Sequence, residues 1–130
     1  MVFDPDRIPD RSWPEKFQDA FRGTKLGVRG QKSFYVHFFF TAAVVVAGFV
    51  FHVDRMEWCL LVLCIVGVLT TEMLNSALEW VVRSLPERDD PRLGQALDIG
   101  SAAVLIVSIG SVIVGLLVFV PHLLKMFSGG

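Results

Sequence analysis

A chain of 130 residues has room for one compact domain, yet 53% of these residues are hydrophobic, more than an ordinary soluble domain carries. The formal net charge of −1 excludes the strongly basic balance of a nucleic-acid-binding chain. Cys59 and Cys64 lie five apart on one apolar stretch, so on a helix they point to different faces and do not bridge each other.

Residues 1–12 (MVFDPDRIPDRS) combine three Asp and two Pro with little apolar content, which predicts a disordered N-terminal segment. From Trp13 the pattern becomes amphipathic. Trp13, Phe17, Ala20 and Phe21 recur at i, i+4, i+7 and i+8, with Glu15, Lys16, Asp19 and Arg22 on the other side. Pro14 just inside the start and Gly23 at the end predict a helix over 13–23 capped by Ser12. An amphipathic helix directly before a membrane span is expected to lie in the headgroup plane. The following stretch, GTKLGVRGQKS from Gly23 to Ser33, has the look of a phosphate-binding loop but fails its pattern. Gln31 separates Gly30 from Lys32 and no strand precedes it, so the stretch reads as a flexible basic connector.

Three segments are long and apolar enough to cross a hydrocarbon core, which takes about 20 helical residues. They are 34–53, 58–82 and 97–122, the last containing an uncharged run from Ile99 to Val120. The short turn 54–57 (DRME) makes a hairpin of the first two. A polar loop, RSLPERDDPRLGQALD, broken by Pro86, Pro91 and Gly94, leads to the third, with Asp98 near its start. Of the 12 Lys and Arg residues, seven precede the first span, one (Arg55) lies in the hairpin turn, three lie in the second loop, and Lys125 lies in the tail. The positive-inside rule therefore puts the N-terminus and the second loop in the cytoplasm and the C-terminus outside. The first span follows 33 residues rich in both charges and no cleavage pattern follows it, so it reads as a retained anchor.

The end of the second span carries the chemistry. In TEMLNSALEWVVR, Glu72, Asn75, Ser76, Glu79 and Arg83 fall at i, i+3, i+4, i+7 and i+11, one stripe on a helix that descends toward the cytoplasmic surface. A carboxylate within the bilayer costs at least about 2.5 kcal/mol on the insertion scale, so such residues face a partner or a wet cavity. Glu79 has Arg83 at i+4, a favourable pairing; Glu72 has no cation on its own helix. A carboxylate beside an amide oxygen suits Mg²⁺ that shares its remaining positions with water and phosphate. A second, desolvated carboxylate is a base for a hydroxyl. His37, His52 and His122 have no ligand spacing on any one face and read as interfacial residues.

ExxNSAxE, Glu72 to Glu79, followed by DxGSAAVL, Asp98 to Leu105, resembles the signature of the prokaryotic diacylglycerol kinase and undecaprenol kinase family of small three-span membrane enzymes. The resemblance covers about residues 13–124. It implies an all-α membrane protein, an N-terminal surface helix followed by three transmembrane helices, with residues 13–127 as the lipid kinase domain in a bacterial inner membrane. It further implies a homotrimer whose active sites lie between subunits and use ATP and Mg²⁺ to phosphorylate a lipid alcohol, diacylglycerol or undecaprenol. By position, Glu72 matches the general base, Glu79 a metal-binding glutamate, and Asn75 and Asp98 residues that hold the nucleotide. Ser101 matches a serine near the lipid, and Arg22 and Lys25 fall where the family has basic residues on the surface helix.

Three positions depart from that pattern. Gln31 stands where the family has a second metal-binding glutamate, Arg83 where it has an aspartate, and Leu97 where it has a lysine. Gln31 keeps an oxygen ligand but one negative charge fewer, which predicts weaker metal binding. Arg83 supplies a cation at the interface where Leu97 has lost one, which makes it a candidate for the ATP phosphates. Two rival readings share these features: a scaffold of the same fold impaired in catalysis, and a small transporter or channel subunit that uses Glu72 and Glu79 as an ion path.

Overall fold

The computed structural model describes residues 10–29 and 32–129. They form four helices: α1 (Trp13–Val28), α2 (Lys32–Val50), α3 (Arg55–Ser84) and α4 (Pro91–Ser128). The last three are long and apolar enough to cross a membrane. α3 is the hub, packing against α4 most extensively and also against α2 and α1.

The boundaries follow from local chemistry. α1 does not stop at Gly23 as its sequence predicts, but runs through Val28. Thr24 hydrogen-bonds back to the Ala20 carbonyl at 2.9 Å, and Gly27 lies buried under Met73 of α3. A Cβ built at Gly27 would stand 2.1 Å from the Met73 sulfur, so close approach to α3 holds the added turn helical. Most of the segment expected to be a flexible connector is therefore helix, since α2 already begins at Lys32. The disorder expected of residues 1–12 falls, for residues 1–9, outside the described residues.

α2 ends three residues earlier than the predicted span, at Val50, in a left-handed stop. His52 has φ 51°, its N–H bonds to the Phe49 carbonyl at 3.4 Å, and the Val53 N–H bonds to Gly48 at 3.2 Å. That is the paired closure in which glycine ordinarily supplies the positive φ. The hairpin turn is thereby shifted to 51–54, because Asp54 caps α3. Its carboxylate accepts the Glu57 N–H at 2.8 Å while Glu57 reaches back to the Asp54 N–H at 3.3 Å, a reciprocal capping box. Asp54 sits below the usual aspartate pKa, chiefly because of that backbone hydrogen bond.

The second loop is shorter than predicted, 85–90, because Pro91 opens α4 instead of breaking it. Asp90 accepts the Arg92 N–H at 2.9 Å, and proline at the first helical position needs no N–H partner. The helix continues through Gly94 and, further on, Pro121. The 38 residues of α4 extend about 57 Å at 1.5 Å per residue, against about 30 Å for a hydrocarbon core.

The small core lies at the hairpin end: Val53, Leu61 and Val118, with Val44, Phe51, Trp58, Val114 and Phe119 packed around them. Gly48 faces the Trp58 ring so closely that a Cβ there would lie 2.5 Å from it. At the same end His122 of α4 meets Glu57 of α3 at 2.9 Å, a pairing that the interfacial reading of this histidine misses. Elsewhere the helices turn large apolar side chains outward, with Phe39, Ile106 and Leu117 about 70% exposed, as segments bathed in lipid or covered by other chains do.

Candidate active site

At the other end of α3, side chains between Glu72 and Arg83 meet three neighbouring helices. Glu72 is 4% exposed and turns to α2, where the Ser33 hydroxyl donates to its Oε1 at 2.5 Å and His37 Nε2 lies 3.4 Å from its Oε2. Met73 turns to Gly27 of α1. Asn75 turns to α4: a Cβ built at Gly100 would lie 2.3 Å from Asn75 Oδ1 and 3.2 Å from Leu78.

The polar partner of Glu72 was thus not on its own helix but across the hairpin. Ser33 and His37 stand at i and i+4 on α2 and so share a face. Their spacing is visible in the sequence; the register that brings this face to Glu72 is set only when the hairpin closes at 51–54. On its other side His37 borders a mostly apolar groove of about 310 Å³ between α2, α3 and α4, lined by Phe40, Val44, Ile65 and Val112 among others.

Gly100 sits inside the DIGSAAVL stretch, so Asn75 is where the two motif segments meet in space. Asn75 Oδ1 is buried with no hydrogen-bond partner among the described residues, and so is Ser76 Oγ. The Asn75 amide nitrogen approaches Glu79 Oε1 at 3.5 Å, and Glu79 in turn pairs with Arg83 at 3.6 Å. Arg83 remains three-quarters exposed while making that pairing.

The remaining predicted positions lie apart from this group. Asp98 and Ser101 are exposed on α4, while Arg22 and Lys25 are exposed on α1 and Arg22 faces Asp19 at 3.6 Å. Among the described residues no hydrogen bond or ion pair joins these four to Glu72. Gln31 lies outside the described residues. No group of three or more His, Cys, Asp or Glu side chains converges among the described residues.

The arrangement joins a buried carboxylate, hydrogen-bonded by Ser33 and approached by His37, to a carboxylate and amide at the helix end, with the α4 motif packed against that amide. The sequence pattern of the prokaryotic diacylglycerol kinase family matches residues 18–119, which include every one of these positions. The chain belongs to this family. It is a lipid kinase, a phosphotransferase with an alcohol group as acceptor. Undecaprenol kinase of Bacillus subtilis is 32% identical over 109 residues, which cover 84% of this chain and 89% of that protein. Diacylglycerol kinase of Synechocystis sp. is 32% identical over 111 residues, covering 85% of this chain and 63% of that longer protein. No solved structure matches the kinase. Its three apolar helices agree with a multi-pass membrane protein.

Proposed function

We propose that the kinase transfers the γ-phosphoryl group of ATP to the hydroxyl of a membrane lipid alcohol, either diacylglycerol or undecaprenol, at the cytoplasmic interface of the bacterial inner membrane, with Glu72 as general base. The observation that carries this is the burial of Glu72 beside two polar side chains of α2, Ser33 hydrogen-bonded to it and His37 3.4 Å away. A carboxylate so enclosed is costly to fold around and is suited to receive a proton. Glu72 takes the hydroxyl proton on its carboxylate. The hydroxyl oxygen then forms its bond to the γ-phosphorus as the bond to the bridging oxygen breaks, and ADP leaves with that electron pair. The groove bordered by His37 supports the same reading, since it offers an apolar path for a lipid chain whose hydroxyl ends beside Glu72.

The donor set fits Mg²⁺. Glu79 would supply a carboxylate and Asn75, with its amide turned from Gly100 toward Glu79, an oxygen that has no hydrogen-bond partner among the described residues; both are hard oxygen ligands, and Gln31 adds a third by sequence. When bound, Mg²⁺ neutralises charge on the phosphates. Asn75 and Asp98 hold the nucleotide. Arg83 reaches the phosphates by exchanging Glu79 for them. Arg22 and Lys25 on α1 meet anionic headgroups, with Trp13, Phe17 and Phe21, all more than 60% exposed, inserted in the interface beside them. Ser101 lies near the lipid. A homotrimer covers part of the outward-facing apolar surface and brings Asp98 and Ser101 of one subunit toward Glu72 and Glu79 of the next.

The test is transfer of labelled phosphate from ATP, with Mg²⁺, to diacylglycerol or undecaprenol by the purified protein in detergent, beside the variants Glu72→Gln and Gln31→Glu. Transfer to at least one lipid, lost in Glu72→Gln, is expected, with tighter Mg²⁺ dependence in Gln31→Glu. Undiminished transfer by Glu72→Gln overturns the base assignment.

A further inference from the structure

We propose that His37 is a positioning residue for Glu72, donating from Nε2 to the carboxylate and fixing the oxygen that faces the lipid hydroxyl. This deepens, and rests on, the reading of Glu72 as the base.

The two carboxylate oxygens of Glu72 have different neighbours. Oε1 is taken by the short bond from Ser33 at 2.5 Å. Oε2 has only the looser approach of His37 Nε2 at 3.4 Å, beyond the 2.7–3.2 Å of a formed N–H···O bond. Oε2 is therefore the less engaged of the two oxygens, with both lone pairs open to a proton, and His37 is the group placed to set its direction. Ser33 cannot do this alone, because one contact leaves the carboxylate able to turn about its terminal torsion, which is broad and roughly two-fold. A second contact from the same helix face, one turn away, stops that rotation once the His37 ring closes the remaining few tenths of an ångström to Oε2.

The residue type fits the task. A lysine or arginine at this distance would stabilise the carboxylate as an anion and lower its appetite for a proton. A neutral imidazole protonated on Nε2 donates a hydrogen bond without adding a fixed charge. His37 is itself largely enclosed, its side chain 17% exposed against 5% for Glu72, and it borders the apolar groove. The ring therefore stands between the proposed lipid path and the base, where its orientation is held by packing.

The test uses the full-length protein in detergent with ATP, Mg²⁺ and whichever lipid alcohol the wild type phosphorylates. Variants are His37→Leu, His37→Gln and His37→Asn, each alone and with Glu72→Gln. Glutamine places its amide nitrogen near the position of Nε2, whereas asparagine falls one bond short, so these two polar variants keep the site filled while differing in reach. The expected result is a kcat lowered about 10- to 100-fold in His37→Leu and His37→Asn, the usual effect of losing a group that orients a functional ligand. The KM for ATP stays unchanged, His37→Gln is restored to within a few-fold of wild type, and no further loss appears when Glu72 is already Gln. His37→Asn and His37→Gln keep the comparison intact if His37→Leu does not fold. Equal kcat in the Gln and Asn variants overturns the proposal, as does wild-type kcat in all three. In either case an inactive Glu72→Gln leaves the base reading standing. Full activity of Glu72→Gln instead removes the base reading and this proposal with it.

Discussion

Replacing Gly100 by alanine tests whether the junction between the two motif segments matters to catalysis. The added Cβ would lie 2.3 Å from Asn75 Oδ1. An ordinary non-bonded contact needs about 3.5 Å, so the amide or the α3–α4 spacing has to yield by roughly 1 Å. Two effects oppose each other in stability. Alanine is favoured over glycine inside a helix by about 0.5–1 kcal/mol, while overpacking at a fitted contact costs about 1–3 kcal/mol. Net destabilisation of about 1 kcal/mol is expected because the obstacle is a buried side chain on the main helix–helix interface. Activity is more sensitive if Asn75 holds the nucleotide as proposed, because misplacing a substrate-positioning group by about 1 Å costs on the order of 100-fold. Thermal unfolding in detergent and phosphate transfer from labelled ATP measure the two quantities on one preparation. Wild-type turnover with an unchanged melting temperature would show that Asn75 does not need its place against Gly100, and the reasoning would fail.

His52→Gly is expected to raise stability by about 1 kcal/mol, since glycine adopts the φ of 51° without the strain of a side chain; a raised melting temperature checks it. Asp54 makes the hairpin end sensitive to acid. Its folded-state pKa lies below the ordinary value, so its stabilisation is complete above that value and is lost as the pH falls through the lower, folded one. Melting curves of wild type and Asp54→Asn, whose amide caps the helix at any pH, are expected to differ at neutral pH and to draw together only as the pH is lowered below the ordinary aspartate range. Arg83→Ala is expected to raise the KM for ATP several-fold with little change in stability, because an exposed i,i+4 pair with Glu79 is worth only about 0.3–0.5 kcal/mol. An unchanged KM would return Arg83 to the role of partner to Glu79.

The three spans, the hairpin and the position of the polar stripe on α3 could all be read from hydropathy and spacing, because these depend on one helix at a time. The family signature was legible for the same reason, as ExxNSAxE and DIGSAAVL are each local. What escaped was everything set by one helix against another. Gly23 and Pro91 carry the chemistry of helix ends, but packing of Gly27 on Met73 carried α1 onward, and Asp90 turned Pro91 into a start. Ser33 and His37 gave no sign of meeting Glu72, since the turn at His52 is what aligns them, and a histidine with a positive φ is not signalled by its type. Glu57 and His122, 65 positions apart, meet only because α4 folds back along α3.

The outward-facing surface has a consequence for how this chain tolerates change. Only five hydrophobic residues are buried among those described, so along most of α2 and α4 a side chain has nothing to fit and needs only to dissolve in hydrocarbon. Exchange of an outward-facing residue such as Ile106 for another apolar one costs the fold little. Shape is demanded instead at a few points where helices touch, such as Gly48 against Trp58 and Gly100 against Asn75. The individuality of the fold is thus concentrated in places where a side chain is missing, and a single methyl group there weighs more than a whole aromatic ring on the flank.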